Sequence, residues 1–293
     1  MTLTIAVLGA SGVYGRHLLP RLVARGHRVR ALVRRPEAAD QARACGAELH
    51  AADIFDEASL AAGFTGCDVA LNLATALRDG GAGADFALND RVRREGTPRF
   101  LAACRAAGVG RVVQQSIAMI HAAGDAWADE DTPFADAAAP AGSAVAAAAI
   151  TAMRDVETAV QRSPLDWLIL RGGLFYGPGT AFDDRWFALA RAGKLRLPGD
   201  GSDYVSLIHI ADMAAATVAA IERGVSRRAL IVADDAPARW REVLGFVAAS
   251  IGAPPPPPGG RQGFPSWRVR NGRAREALGW APLFADYRLG FAR

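Results

Sequence analysis

The chain has 293 residues, 51% hydrophobic and 22% charged, a balance that supports a large buried core and excludes a disordered or fibrous protein. Its net charge of +4 comes from dispersed arginines with no repeating aromatic-basic patch, so nucleic acid is not an expected partner. No run approaches about 18 uninterrupted apolar residues and no basic leader precedes the first strand, so no membrane contact is expected and the expected location is cytoplasmic.

Leu3–Leu8 (LTIAVL) reads as a first strand, and Leu18, Leu19, Leu22 and Val23 mark the apolar face of a following helix. Between them stands GASGVYG, Gly9 to Gly15. Strand, glycine turn and helix N-terminus together make a pyrophosphate cradle: Gly9 permits the turn, Gly12 admits the phosphates, and Gly15 lets helix and strand pack. The helix start offers unpaired N–H groups and a positive dipole end. Gly9, Ser11, Gly12, Val13, Tyr14 and Gly15 are therefore candidate cofactor contacts.

Arg28–Val33 reads as the second strand, ending in Arg34, Arg35 and Pro36. An acidic residue at that strand end would bind a ribose 2′-hydroxyl; two arginines suit a 2′-phosphate, so NADP(H) is expected over NAD(H). A pair of solvated loop arginines is the alternative reading.

Glu48–Ala51 is the expected third strand, leading to Asp53 and Ile54, with a helix over Glu57–Ala62. Val69–Leu73 is the fourth strand, with Ala74 and Thr75 at its end. A helix is expected over Asn89–Ala107, kinked or divided by Pro98 and closed by Gly108. Arg111–Gln115 is the fifth strand, followed by Ser116. Strands alternating with helices give an α/β fold, a Rossmann-type doubly wound parallel sheet. Its ligands sit at the strand C-terminal ends, where Arg34, Asp53, Ala74 and Ser116 fall.

Residues 121–142, with Asp125, Asp129, Glu130 and Asp131, read as a loop over the sheet edge. Ala144–Val160 is an alanine-rich helix and Leu165–Leu170 a sixth strand, followed by Arg171 and the turn GGLFYGPG. Further on, Arg185–Ala192, Ala211–Glu222, Trp240–Ile251 and Ala274–Leu278 read as helices, and Val205–Ile208 as a strand. Pro254 to Pro258 form a stiff connector. Residues 1–170, with a later strand near 205–233, are the expected dinucleotide domain; 171–206 and 235–293 form a smaller substrate lobe. Cys45, Cys67 and Cys104 have neither metal nor redox-pair spacing, and no metal site is expected. Lys194 is the sole lysine.

These motifs, in this order, resemble the extended short-chain dehydrogenase/reductase family of NAD-dependent epimerase/dehydratase type over nearly the whole length. GASGVYG is similar to its glycine motif, LVRRP to its second-strand end in NADP-using members, and AADIFD to its Asp-x-x-Asp segment, whose first Asp, here Asp53, contacts adenine. LNLAT, with Leu73, Ala74 and Thr75, resembles the segment behind the cofactor. LRGGLFYGPG, with Gly172, Gly173 and Leu174, resembles the turn beside the nicotinamide. The resemblance also implies a homodimer through two long helices, for which Asn89–Ala107 and Ala144–Val160 offer small-residue faces.

The departures bear on chemistry. The family's serine, tyrosine and lysine fall by alignment on Ile117, Ala149 and Met153, and no tyrosine occurs between Tyr14 and Tyr176. The usual proton machinery cannot be carried over. Ser116, His121 and Tyr176 remain the candidate catalytic groups, with Asp183 and His209 behind them. His209 and Asp212 are expected to start and cap a lobe helix. Apolar residues around Trp186, Phe187 and Leu197 suggest a hydrophobic or aromatic small-molecule substrate. Three function classes stay open: an atypical reductase, epimerase or dehydratase; a non-redox cyclase, isomerase or lyase using the bound cofactor as a scaffold, with the acidic loop and Asp183–Asp184 as general acids; and an NmrA-like non-catalytic dinucleotide-sensing regulator.

Overall fold

The computed structural model describes residues 1–77, 85–121, 124–135 and 143–291; part of the expected 121–142 loop lies outside them. The chain opens with β1 (Thr4–Leu8), α1 (Val13–Ala24), β2 (Arg28–Val33), the short α2 (Asp40–Ala44), β3 (Glu48–Ala51), α3 (Glu57–Phe64) and β4 (Val69–Asn72). β1 and its neighbour β4 are buried on both faces and read as near-continuous apolar runs, as a sheet covered by two helical layers requires. Asp56 caps α3 by accepting from the Ala58 and Ser59 N–H groups.

The expected long helix is divided. α4 (Phe86–Arg91) runs into a π-helical turn, Val92–Gly96, and then α5 (Thr97–Ala106), with Pro98 in the first turn of α5, directly after the π-helical turn. Gly108 follows at φ +74°. Next come β5 (Arg111–Ile117), β6 (Trp127–Ala128), α6 (Ala144–Arg162) and β7 (Asp166–Gly172). Both β5 and β7 extend past their sequence-based ends. Ser116 and Arg171, expected just beyond their strands, are register partners inside the ladder, as are Ile117 and Gly172.

The remaining elements are β8 (Leu174–Tyr176), α7 (Phe182–Arg191), β9 (Tyr204–Val205), β10 (Leu207–His209), α8 (Ile210–Glu222), β11 (Arg228–Val232), β12 (Ala238–Arg239), α9 (Trp240–Ser250), β13 (Arg268–Val269), α10 (Gly272–Leu278) and α11 (Tyr287–Phe291). The main sheet has seven parallel strands in the order β11-β7-β5-β4-β1-β2-β3. The order reverses between β1 and β4, which opens the ligand crevice of a doubly wound sheet at that point.

The strand expected over Val205–Ile208 is two short strands, β9 and β10, outside the main sheet; β11 takes the late edge position beside β7. The loop after His121 contributes β6, which pairs with β13. One apolar cluster fills the space between the sheet, α1 and α8, and another lies under α3, α5 and α6. A third, rich in aromatic rings, holds α7, α9 and α11 together. Trp186 and Phe187 belong to this last cluster and are buried, so they pack α7 rather than line an open pocket. Among the described residues no helix is long and apolar enough to cross a membrane.

Candidate active site

The glycine turn has the geometry its sequence implies. Gly9 sits at φ +83°, and a side chain there would meet the Leu73 carbonyl carbon at 2.7 Å, so the β1 and β4 strand ends touch across it. A side chain at Gly15 would overlap the Ala10 backbone. The Gly12 N–H closes the turn on Gly9 O at 3.0 Å. No side chain caps α1 and no acidic residue occupies its first turn, which leaves its leading N–H groups without a side-chain partner. Tyr14 turns the other way: its ring packs edge-on against Phe175 and its hydroxyl meets Thr217, which leaves only its backbone for a ligand.

Arg34 and Arg35 are exposed at the end of β2, and neither side chain makes a hydrogen bond or ion pair among the described residues. Asp53 lies at the end of β3, with one carboxylate oxygen accepting from the Phe55 N–H at 2.9 Å. Ile54 is buried against Gly96. Leu73, Ala74 and Thr75 continue from β4, with Thr75 exposed. Gly172 and Gly173 are buried, and a side chain at Gly173 would meet the Ser206 and Leu207 backbone at 2.9 Å. Leu174 stands half-buried beside them. A cradle of backbone donors, filled by any added Cβ and flanked by two unpaired arginines, fits a dinucleotide.

A polar network that the sequence reading did not assemble lies at the ends of β5 and β7. Register pairing puts Ser116 and Arg171 on one face of the sheet, under Glu157 of α6. The Ser116 hydroxyl donates to Glu157 Oε1 at 2.5 Å. Arg171 donates from Nη2 to Oε2 at 2.6 Å and from Nε to both oxygens. Its Nη1 donates to His121 Nε2 at 2.9 Å, and because arginine only donates, His121 carries its proton on Nδ1. The Phe134 ring lies 5.0 Å from the guanidinium. Glu157, His121, Ser116 and Arg171 are all buried. Burial, aided by the Arg171 charge, pushes His121 down to about 4, so it is neutral at physiological pH.

The other candidates stand apart. Tyr176 is fully buried, with its ring edge-on to His209 and Phe291, and burial with surrounding carboxylates pushes its phenol up. His209 caps α8, its Nδ1 accepting from the Ala211 N–H. Asp212 is not the cap: its two oxygens accept from the Leu283 and Phe284 N–H groups and tie the C-terminal turn to α8. Asp183 is buried and accepts from Thr180. The acidic loop is committed to ion pairs and backbone, Asp125 with Arg239, Asp131 with Arg273, and Glu130 with the Ile231 N–H. Lys194 is exposed beyond α7.

Met153 reaches the cavity at the ends of β4 and β5, together with Asn72, Thr75, Arg93, Thr97 and Ser116. Arg93 had no distinguishing mark in the sequence. It is one of three arginines in DRVRREG, and only the π-helical turn decides that it faces inward. Among the described residues no group of three or more His, Cys, Asp or Glu side chains is placed to hold a metal ion.

Comparison with known proteins gives three kinds of match. A model of the NAD-dependent epimerase/dehydratase family matches residues 5–233. A 3-diazoavenalumate denitrifying reductase from a Streptomyces species is 38% identical over 99% of this chain and 99% of its own length. A 4-hydroxy-2-methyl-3-oxo-4-farnesyl-3,4-dihydroquinoline-1-oxide ketoreductase from Stigmatella aurantiaca is 31% identical over 84% of this chain and 72% of its own. Among solved structures, a dTDP-glucose 4,6-dehydratase double mutant from Streptomyces venezuelae with NAD bound superposes with a TM-score of 0.82 at 20% identity, covering 99% of this chain and 94% of that one, a likeness of fold.

Proposed function

The chain belongs to the NAD-dependent epimerase/dehydratase family, and from that premise we propose that it is an NADP(H)-dependent reductase that removes the diazo group of a small arenediazonium carboxylate as dinitrogen. A bound dihydronicotinamide supplies a hydride, and a hydride taken up by R–N2+ gives R–H and N2 with charge and atoms balanced and no proton consumed. The turn from Gly9 to Gly15 holds the pyrophosphate, Arg34 and Arg35 hold the 2′-phosphate, and Asp53 and Ile54 border the adenine. Leu73, Ala74, Thr75, Ser116 and Gly172 to Leu174 border the nicotinamide half. Residues 1–170 with β11 form the dinucleotide domain, and 171–206 with 235–293 form the substrate lobe.

The observation that carries the reading is the state of the three proton-donor candidates. Reducing a carbonyl demands a proton for the new alkoxide. The Ser116 hydroxyl hydrogen is committed to a carboxylate that Arg171, a permanent cation, also binds. His121 is neutral, buried, and occupied at Nε2 by Arg171. Tyr176 is sealed in the aromatic cluster. A diazonium acceptor suits a site without a poised acid, and the 38% identical Streptomyces relative, matched end to end, is named for loss of a diazo group.

Ketone reduction with a solvent-borne proton is the second reading, favoured by the name of the Stigmatella relative. The test is anaerobic incubation with NADPH and a nitrogen-15 labelled arenediazonium carboxylate, with a ketone panel in parallel and enzyme-free controls. Equal amounts of NADPH consumed and labelled N2 released are expected. NADPH oxidation with ketones alone would replace this reading with the second.

A further inference from the structure

Arg93 is a buried arginine with an unmet donor. It is 8% exposed, its Nη1 has no hydrogen-bond partner among the described residues, and the nearest carboxylate oxygen, on Asp90, is 3.9 Å away. Its neighbours differ: Arg91 pairs with Glu95 at 3.0 Å and Arg94 with Asp155 at 3.1 Å. An unsatisfied buried cation is costly, and such groups are kept where a ligand completes them. Burial pulls Arg93 down to about 10, still far above neutral pH, so the charge persists.

Arg93 arrives in the cavity through the π-helical turn Val92–Gly96, a kind of bulge found disproportionately at functional sites. Among the described residues no carboxylate lines that cavity. Its wall carries Asn72, Thr75, Thr97 and Ser116, with Met153 of α6 as an apolar neighbour. Asn72 Nδ2 donates to Gln114 Oε1 at 2.9 Å and Gln114 Nε2 donates to the Gln115 carbonyl, so Arg93 is the one charged donor among the described lining residues. The cavity stands at the C-terminal ends of β4 and β5, on the far side of the β1–β4 crevice from Arg34 and Arg35. In a doubly wound sheet the adenosine half lies over the β1-β2-β3 side, which leaves the other half of the dinucleotide over β4 and β5.

We propose that Arg93 is a positioning residue that donates to the hydroxyl oxygens of the nicotinamide-side ribose, supplying from α4–α5 the cation that α6 lacks at Met153. The assignment rests on the dinucleotide site and is independent of the diazo acceptor.

The test compares NADPH with 2′,5′-ADP, which carries only the adenosine half, in binding titrations of the wild-type chain, Arg93→Met and Arg93→Lys. Loss of a charge-assisted hydrogen bond predicts an NADPH Kd raised on the order of tenfold to a hundredfold in Arg93→Met, an unchanged 2′,5′-ADP Kd, and recovery of most NADPH affinity in Arg93→Lys. If Arg93→Met does not fold, Arg93→Gln is read by the same ratio. Unchanged NADPH affinity overturns the proposal, even if the KM for a diazonium rises, because Arg93 would then serve the substrate. Parallel weakening of both probes also overturns it, as a distortion of the whole site. A wild-type chain that binds no NADPH overturns both this proposal and the dinucleotide reading.

Discussion

Ser116 and Glu157 are joined by a 2.5 Å hydrogen bond in which the serine is the donor, and the same carboxylate takes three hydrogen bonds from Arg171. Ser116 is therefore part of a buried charge network that ties β5, β7 and α6 together. That network decides both the stability of the site and what chemistry it can run.

Glu157→Ala strands Arg171 in the core and is expected to cost about 3–5 kcal/mol, whereas Ser116→Ala removes one neutral donor and costs about 1 kcal/mol. Denaturant unfolding of the two variants checks the contrast. Equal losses would mean that the Arg171–Glu157 pair is not the anchor.

His121 gives the fold a pH dependence of known sign. Its pKa falls from 6.5 to about 4 on folding, so between those values the unfolded chain binds its proton more tightly. The stability due to this group is full above pH 6.5 and drains away as pH falls toward 4, at up to about 1.4 kcal/mol per pH unit. His17 and His209 shift in the same direction and contribute to the total slope. His121→Gln should flatten the slope of unfolding free energy against pH by up to one proton, and an unchanged slope would remove His121 from the network.

Arg34→Ala should weaken NADPH by about tenfold and leave NADH unaffected, since one charge-assisted contact to a 2′-phosphate is lost. Titration of both cofactors reads the difference. Equal losses would remove the 2′-phosphate from Arg34.

Gly9→Ala forces a side chain into the left-handed region at φ +83° and onto the Leu73 backbone. A loss of about 1–3 kcal/mol is expected, together with loss of dinucleotide binding. Thermal unfolding and NADPH titration of the variant measure both.

Much of this was legible in the sequence. The runs 4–8 and 69–72 declare their strands because the covered centre of the sheet demands continuous apolar residues, whereas 28–33 and 48–51, with exposed polar positions toward the edge, declare theirs by alternating with helices. The ends of β5 and β7 were not legible: Ser116 and Arg171 are polar, and their place in the ladder comes from pairing with each other beneath Glu157. Pro98 announced a divided helix, but not the π-helical turn that points Arg93 inward. Asp212 looked like a local cap, whereas its partners at 283 and 284 are far along the chain.

A hydride transfer that takes no proton from the protein is read directly by the solvent deuterium isotope effect on kcat/KM for an arenediazonium. With no proton in flight as the hydride is taken up, an effect of about 1 is expected, with a rate level between roughly pH 6 and 9. An effect of about 2 or more, with a limb in the pH profile, would put a general acid in the site and contradict the account.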